Sequence, residues 1–295
     1  MRIKNLDMYL LLLPGFLFLV LFKYVPMYGI VIAFQDYNVF DGILASKWVG
    51  FQQFDKLIHY PEFYKVFRNT LIISVYKMVL LFPFPILIAL ILNEIRKMLF
   101  KRTIQTVIYL PHFLSWVIVG GLFTNILSPS TGIVNRIIQA LGGDPISFLT
   151  DNDWFRSVLV FSQGWKEAGW SAVIYIAAIA GINQDLYEAA GIDGAGRFRQ
   201  IVHITLPGIA PTIVLMLILR LGGLLEAGTE QILVMYNAVV YDTADVIGTY
   251  VYRIGLGQMD YSFSTAVGLF NSVIGFVLIV SGNSLSRRWI GRSIW

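Results

Sequence analysis

No cysteine occurs in the 295 residues, which excludes a disulfide framework, a thiol nucleophile and a thiolate metal site. Charge is scarce as well. Asp, Glu, Lys and Arg make up 14% of the chain, against about a quarter in a soluble domain. The three histidines, His59, His112 and His203, stand far apart with no metal-ligand spacing. They read as surface or helix-end residues, and no metal site is expected. The pattern G-x-x-x-x-G-K-[ST] is absent, so the chain has no phosphate loop for ATP. Gly194-Ala195-Gly196 lacks the third glycine and the flanking strand of a dinucleotide fingerprint. Neither H-E-x-x-H nor G-x-S-x-G is found, and no catalytic group can be located. An enzyme is not expected.

Apolar residues are what the chain has. They form 57% of it, and the mean hydropathy is +0.69. Runs of about twenty apolar residues recur, the length that crosses a hydrocarbon core. The fold class is therefore an all-α membrane protein, a single transmembrane domain over 1–295. Spans are expected at about 8–34, 69–93, 104–127, 157–182, 207–227 and 263–281. The first run is too long for a signal-peptide core and has no early small-residue cleavage site, so it reads as a retained span. Pro14 and Pro26 fall near its ends, where proline disturbs a helix least. Pro83 and Pro85 should kink the second span. The stretches 35–68, 128–156 and 228–262 read as loops on one side.

Six spans put both termini on one side. The N-terminus, the loop 94–103, the polar segment after span four and the tail hold eleven Lys and Arg. The three longer opposite loops hold seven. The denser side is cytoplasmic. The formal net charge of +4 thus sets orientation and gives no argument for nucleic acid.

Between spans four and five lies EAAGIDGAGRFRQIVHITLP, residues 188–207. Asn183 is a plausible N-cap with Asp185 in the first turn. Leu186, Ala189 and Ala190 then share one face of a short helix, shallow enough to enter a partner's groove. Gly191, Gly194 and Gly196 end it with a sharp turn. A second short helix is expected over 197–204, and Leu206-Pro207 returns the chain to the membrane. A solvated interfacial loop is the bland alternative.

This stretch resembles the EAA loop of binding-protein-dependent ABC importer permeases. That pattern is EAA, three residues, Gly, nine residues, then I-x-L-P, and Glu188-Ala189-Ala190, Gly194 and Ile204-Thr205-Leu206-Pro207 fill it completely. FRNTL (67–71), YLPHFLSW (109–116) and the G-x-x-N of Gly132 and Asn135 are similar to the disaccharide branch. The run 230–256 is similar to permeases for complex, often uronate-containing oligosaccharides such as alginate or rhamnogalacturonan.

The resemblance implies the type I importer permease fold in a bacterial inner membrane, with termini cytoplasmic and a coupling helix within 183–207. Glu188, Ala189, Ala190 and Gly194 become contacts to an ATPase subunit, with Asp193 beside them, while Leu206 and Pro207 position span five. It implies a second, different permease, two ATPase subunits and a solute-binding protein as partners. No cofactor is bound by this chain, ATP and Mg belonging to the ATPase. Cargo would be an oligosaccharide, acidic by resemblance, moved by alternating access. Neutral oligosaccharides are the alternative. An ion-coupled secondary transporter would show repeat symmetry between the halves, and none is visible.

Ionisable residues inside spans are candidates for the cargo path. On span four, Gln163, Lys166, Glu167 and Trp170 share a polar face, and Trp170 has the flat apolar surface that stacks on a sugar ring. Gly164, Ala168 and Ala172 lie on the face behind and suit close packing. A Lys166–Glu167 contact within the bundle, or a pairing of either with another span, is the structural alternative. Trp116 and Asn125 on span three and Glu226 at the end of span five complete the candidates. Arg220 is expected to snorkel or to pair with Glu226. Lys77 is isolated and uninformative in sequence, although a further buried cation would suit an anionic cargo. In span six, Gly268 with Ser272 and Asn271 with Gly275 read as helix-packing pairs.

Overall fold

The computed structural model describes residues 6–290. The chain divides into two compact units, one of Met1–Phe63 with Tyr250–Ser272, the other of Tyr64–Thr249 with Val273–Trp295.

In the first unit an α-helix, Leu6–Leu19, runs through a π turn, Val20–Tyr24, into a 3-10 stretch, Val25–Phe34. Its 27 residues from Met8 to Phe34 are apolar all round, and none of the most apolar window is buried. Such a surface suits lipid. Pro26 opens the 3-10 stretch, where its missing N–H costs nothing. The stretch 35–68, expected to be a loop, has more order. Gln35–Asp36 pairs with Lys47–Trp48 in a small antiparallel ribbon, and Gln52–His59 is a helix. Phe34 stacks on Trp48 and meets Phe51 and Phe54 at its edges. Lys56 Nζ pairs with Asp260 at 2.9 Å, Arg253 with Glu62 at 3.3 Å, and Tyr37 N–H donates to Ser262 Oγ.

The helix of span two starts at Pro61, eight residues before the expected boundary, because proline preorganises a first turn. It stops at Leu81 and resumes at Pro83, so the kink falls where the prolines predict it. Span three departs from expectation. Met98–Phe113 and Trp116–Leu127 are two helices whose axes differ by 103°, not one straight span over 104–127. Pro111 ends the first with a 3-10 turn, and Ser115 caps the second, its Oγ accepting from Ile118 N–H at 3.3 Å. Span four is a single helix of 29 residues, Asn152–Ala180, capped by Asp151. Span five is continuous from Arg197 to Gly222. The expected break at Leu206-Pro207 is instead a π turn, Ile201–Thr205, in which Leu206 N–H reaches Ile201 O. A wide turn there accommodates a proline that cannot donate. The helix of span six runs from Tyr261 to Ile290, well past 281. Region 228–262 holds Thr229–Met235, Tyr241–Ala244 and Ile247–Tyr252 as short helices.

Among the described residues four helices are long and apolar enough to cross a membrane: Met8–Phe34, Pro61–Glu94, Arg197–Gly222 and Tyr261–Arg288, with the bent pair as a fifth. The helix Asn152–Ala180 is long enough, but its polar face lowers its hydropathy.

Within the second unit, Ile86, Ala89, Ala172, Tyr175, Ile179 and Ile209 form a buried core between spans two, four and five. Ala172 is fully buried and Ala168 nearly so, so the small-residue face of span four packs as expected. Gly169 admits the Ile108 carbonyl where any side chain would strike it. Gly275 lies close to the Gly222 carbonyl of span five, and Ser272 Oγ donates back to Gly268 O.

Three stretches that carry the resemblance fasten irregular backbone. Asn69 and Thr70 are buried. Asn69 Nδ2 donates to the Asp242 and Asp245 carbonyls while its Oδ1 accepts from Arg156, and Thr70 Oγ1 accepts from Ile247 N–H. Asn135, also buried, bridges the Leu127 and Ile146 carbonyls and takes Ile146 N–H on Oδ1. The run YLPHFLSW makes the break in span three.

Candidate functional site

The EAA segment contains a helix, Asp185–Ile192. Its N-cap is Gln184, one residue later than expected. Asn183 still contributes, since its Oδ1 accepts from Asp185 N–H at 3.1 Å. Asp185 and Glu188 lie in the first turn, where negative charge is favoured. The helix closes on Gly194, whose φ of 72° is the left-handed conformation that glycine adopts without strain. Ala195 N–H then reaches back to Ala190 O at 2.8 Å.

One contact ties this helix to span five, and another ties the start of span five to span two. Tyr187 OH meets Thr205 Oγ1 at 2.9 Å, inside the π turn. Arg197 pairs with Glu94, at the end of span two, at 3.2 Å. Glu188, Ala189, Asp193 and Gly194 are exposed, and Ala190 half so. Glu188 makes no ion pair or side-chain hydrogen bond among the described residues. Leu186, Ile192 and Phe198 are exposed apolar residues in this otherwise polar segment, Ile192 at 88% and Phe198 at 80%. Leu206, by contrast, packs partly into the core beside Ile209.

The polar face of span four divides into two groups. In the first, Lys166 is buried and its Nζ donates to the His112 carbonyl at 2.6 Å. It also pairs with Glu167 Oε1 at 3.5 Å and lies over the Trp116 ring, while Glu167 Oε2 meets His112 Nδ1 at 3.0 Å. Trp170 stacks on His112 with centroids 4.8 Å apart and planes 5° apart, and meets Tyr109 and Phe113 edge-on. Lys166 and Glu167 thus make the contacts that the structural alternative expects. Lys166 holds the carbonyl freed where span three breaks, the compensation such a break needs inside a membrane. Trp170 remains 42% exposed, so one apolar surface beside a carboxylate is open to a ligand.

The second group forms around Gln163, which turns away to Lys77 and Arg220. Lys77 is buried and donates to Ala227 O and Gln231 Oε1. Trp116 joins the first group, whereas Asn125 and Glu226 are exposed and belong to neither. The expected Arg220–Glu226 pair does not form among the described residues. Sequence reasoning missed His112 and Lys77 as organising residues. A histidine directly after a proline inside an apolar run was the available signal for the first. Lys77 gave only its cost in a membrane.

Residues 82–291 match the family model described as a binding-protein-dependent transport system inner membrane component. Protein LplB of Bacillus subtilis (strain 168) is 47% identical, over 96% of this chain and 89% of its own length. The polygalacturonan/rhamnogalacturonan transport system permease protein YteP of the same organism is 48% identical, over 97% and 89%. A chain in the crystal structure of a bacterial alginate ABC transporter, in complex with an alginate pentasaccharide-bound periplasmic protein, is 42% identical. It superposes with a TM-score of 0.89 over 97% of this chain and 96% of its own.

Proposed function

The chain belongs to the family of binding-protein-dependent transport system inner membrane components, as a permease of an ABC sugar importer, and from that premise we propose that its cargo is an acidic oligosaccharide. The observation that carries the cargo class is that YteP and the alginate transporter both handle uronate polymers, at 48% and 42% identity along nearly the whole chain. Lys77 and Arg220, which face one pocket beside span four, are consistent with carboxylates passing close by.

In this reading six spans hold both termini in the cytoplasm. A solute-binding protein delivers the sugar to the outer loops. One of two ATPase subunits grips the helix Asp185–Ile192 through Glu188, Ala189, Ala190 and Gly194, with Asp193 at the edge of the contact. Exposed Leu186, Ile192 and Phe198 support such a grip, because apolar side chains on a polar segment favour a partner over water. ATP bound by those subunits supplies the free energy. What this chain does is transmit. A displaced helix pulls on Thr205 of span five through Tyr187, the start of span five is tied to span two through Arg197 and Glu94, and Leu206 carries the motion into the core. The spans then rock between inward and outward openings. A second, different permease completes the pathway, and Trp170 with Glu167 offers a sugar a stacking surface and a hydrogen-bond acceptor.

Reconstitution with partner permease, ATPases and binding protein tests the cargo class. Labelled uronate and neutral oligosaccharides of equal length are offered together. Uptake should favour the uronates, and uptake confined to neutral sugars would refute the assignment.

A further inference from the structure

Spans two, four and five and the turn after span five line a small, partly open polar pocket of about 60 Å³. Its wall includes Ser74, Lys77, Gln163, Arg220 and Gly228. The turn is irregular, since Ala227 and Gly228 both have left-handed backbone, with φ of 51° and 80°. Lys77 clamps it. Its Nζ donates to Ala227 O at 2.7 Å and Gln231 Oε1 at 2.6 Å, and Gln231 is itself held by Leu159 O and Ser162 Oγ. An ammonium has three protons, and no third acceptor stands within hydrogen-bond distance among the described residues.

Two other groups in the wall are also unspent. Ser74 Oγ and Gln163 Oε1 are shielded from solvent and have no hydrogen-bond partner. Rotating the Gln163 amide, whose oxygen and nitrogen are assigned from their partners, would turn its NH2 inward. Arg220 forms neither an ion pair nor a side-chain hydrogen bond among the described residues. No carboxylate among the described residues lines the cavity. Glu226 sits beside Gly223 at the rim without pairing with either cation. Donors therefore converge from Lys77, Arg220 and Ser74, and from Gln163 once its amide is turned, on a space whose wall carries two cations and no carboxylate among the described residues. Such a charge inside a membrane is costly unless a counter-ion meets it. The space takes a few water molecules, and a carboxylate or a halide fits it.

We propose that this cavity binds one monoanionic group, a carboxylate or a halide ion, through Lys77, Arg220, Ser74 and Gln163. Its source is either a uronate carboxylate of the passing cargo or an anion from solution. The first source rests on the acidic-cargo reading above, and the site itself does not.

Chloride is the probe, followed by the width of its chlorine-35 resonance with the complete transporter in lipid nanodiscs. Wild type should broaden the line. Arg220→Gln should weaken chloride binding about tenfold and Ser74→Ala several-fold, as charged and neutral hydrogen bonds differ. Both leave Lys77 on Ala227 and Gln231, so the turn stays closed. No broadening by wild type, or broadening unchanged in Arg220→Gln and Lys77→Met, would overturn the site. Narrowing of the line by saturating oligogalacturonate, but not by its methyl ester, identifies the cargo carboxylate as occupant. Broadening that needs Arg220 yet survives oligogalacturonate supports the site with a free anion in it. Should the transporter import only neutral sugars, the acidic-cargo reading fails while the chloride result stands.

Discussion

The EAA segment and the interior of span four are both polar islands in an apolar chain, and they use polarity in opposite ways. Glu188 and Asp193 are exposed and make no ion pair among the described residues, on or beside a short helix whose Leu186 and Ile192 also face outward. Around Lys166 the charges are turned inward and spent on one another and on the carbonyl of His112. One region leaves its carboxylates facing outward. The other uses its charges to hold a broken helix in place. Removing a side chain should therefore damage binding in the first region and folding in the second.

Glu188→Lys is the sharpest way to break that contrast. The carboxylate has no partner among the described residues, so the change should cost under about 1 kcal/mol, the helix-terminus term alone. Uptake by the reconstituted transporter should nonetheless fall roughly a hundredfold, because like charge or a lost contact at a coupling surface removes about 3 kcal/mol of association. Parallel measurement of thermal unfolding and uptake separates the two. A variant that transports normally would return the segment to an ordinary solvated loop.

Lys166→Met tests the other side. It leaves the His112 carbonyl without a donor and Glu167 without its cation, in a site where Lys166 is almost wholly buried. Breaking such a buried arrangement costs about 3 kcal/mol, visible as a lower unfolding midpoint in detergent. ATPase coupling per folded molecule should change little. A stable variant with altered cargo preference would move Lys166 from the scaffold to the cargo path.

How much of each region was legible depends on how it is assembled. The EAA segment is contiguous, and its helix, its glycine turn and its exposed face can each be read from neighbouring residues. Even there the helix began one residue late, and Pro207 fell within a continuous helix, because a π turn is invisible to a periodicity argument. The interior site is drawn from separate helices. The i, i+3, i+7 spacing put Gln163, Lys166 and Trp170 on one face of span four, but no local rule says that His112 stacks on Trp170. The same spacing suggested one site, while the two neighbours differ: Lys166 faces the break in span three and Gln163 faces Lys77. The 103° bend had a local cause, Pro111 followed by a serine cap, yet hydropathy averages across it and reports one span.

Gly194→Ala asks whether the turn matters to the grip or merely ends the helix. A Cβ would meet no atom within 4 Å, so the cost is conformational, about 1 kcal/mol for a left-handed alanine. Stability should drop by that amount. Coupling should drop further if the backbone after the helix is part of the contact, read as ATP hydrolysed per sugar imported.

The smallest effect is expected where the two regions are joined. Glu94 and Arg197 are about one third and one half exposed, and such a pair is worth under about 1 kcal/mol. Glu94→Gln should thus leave the unfolding midpoint almost unmoved. The pair nonetheless links span two to the start of span five, on the route proposed above for a pull on the EAA helix. A loss confined to stability would make it a surface ion pair like any other. A rise in futile ATP hydrolysis, diminished by high salt in wild type as well, would make it part of the transmission, and Tyr187–Thr205 would then be the second strand of the same linkage.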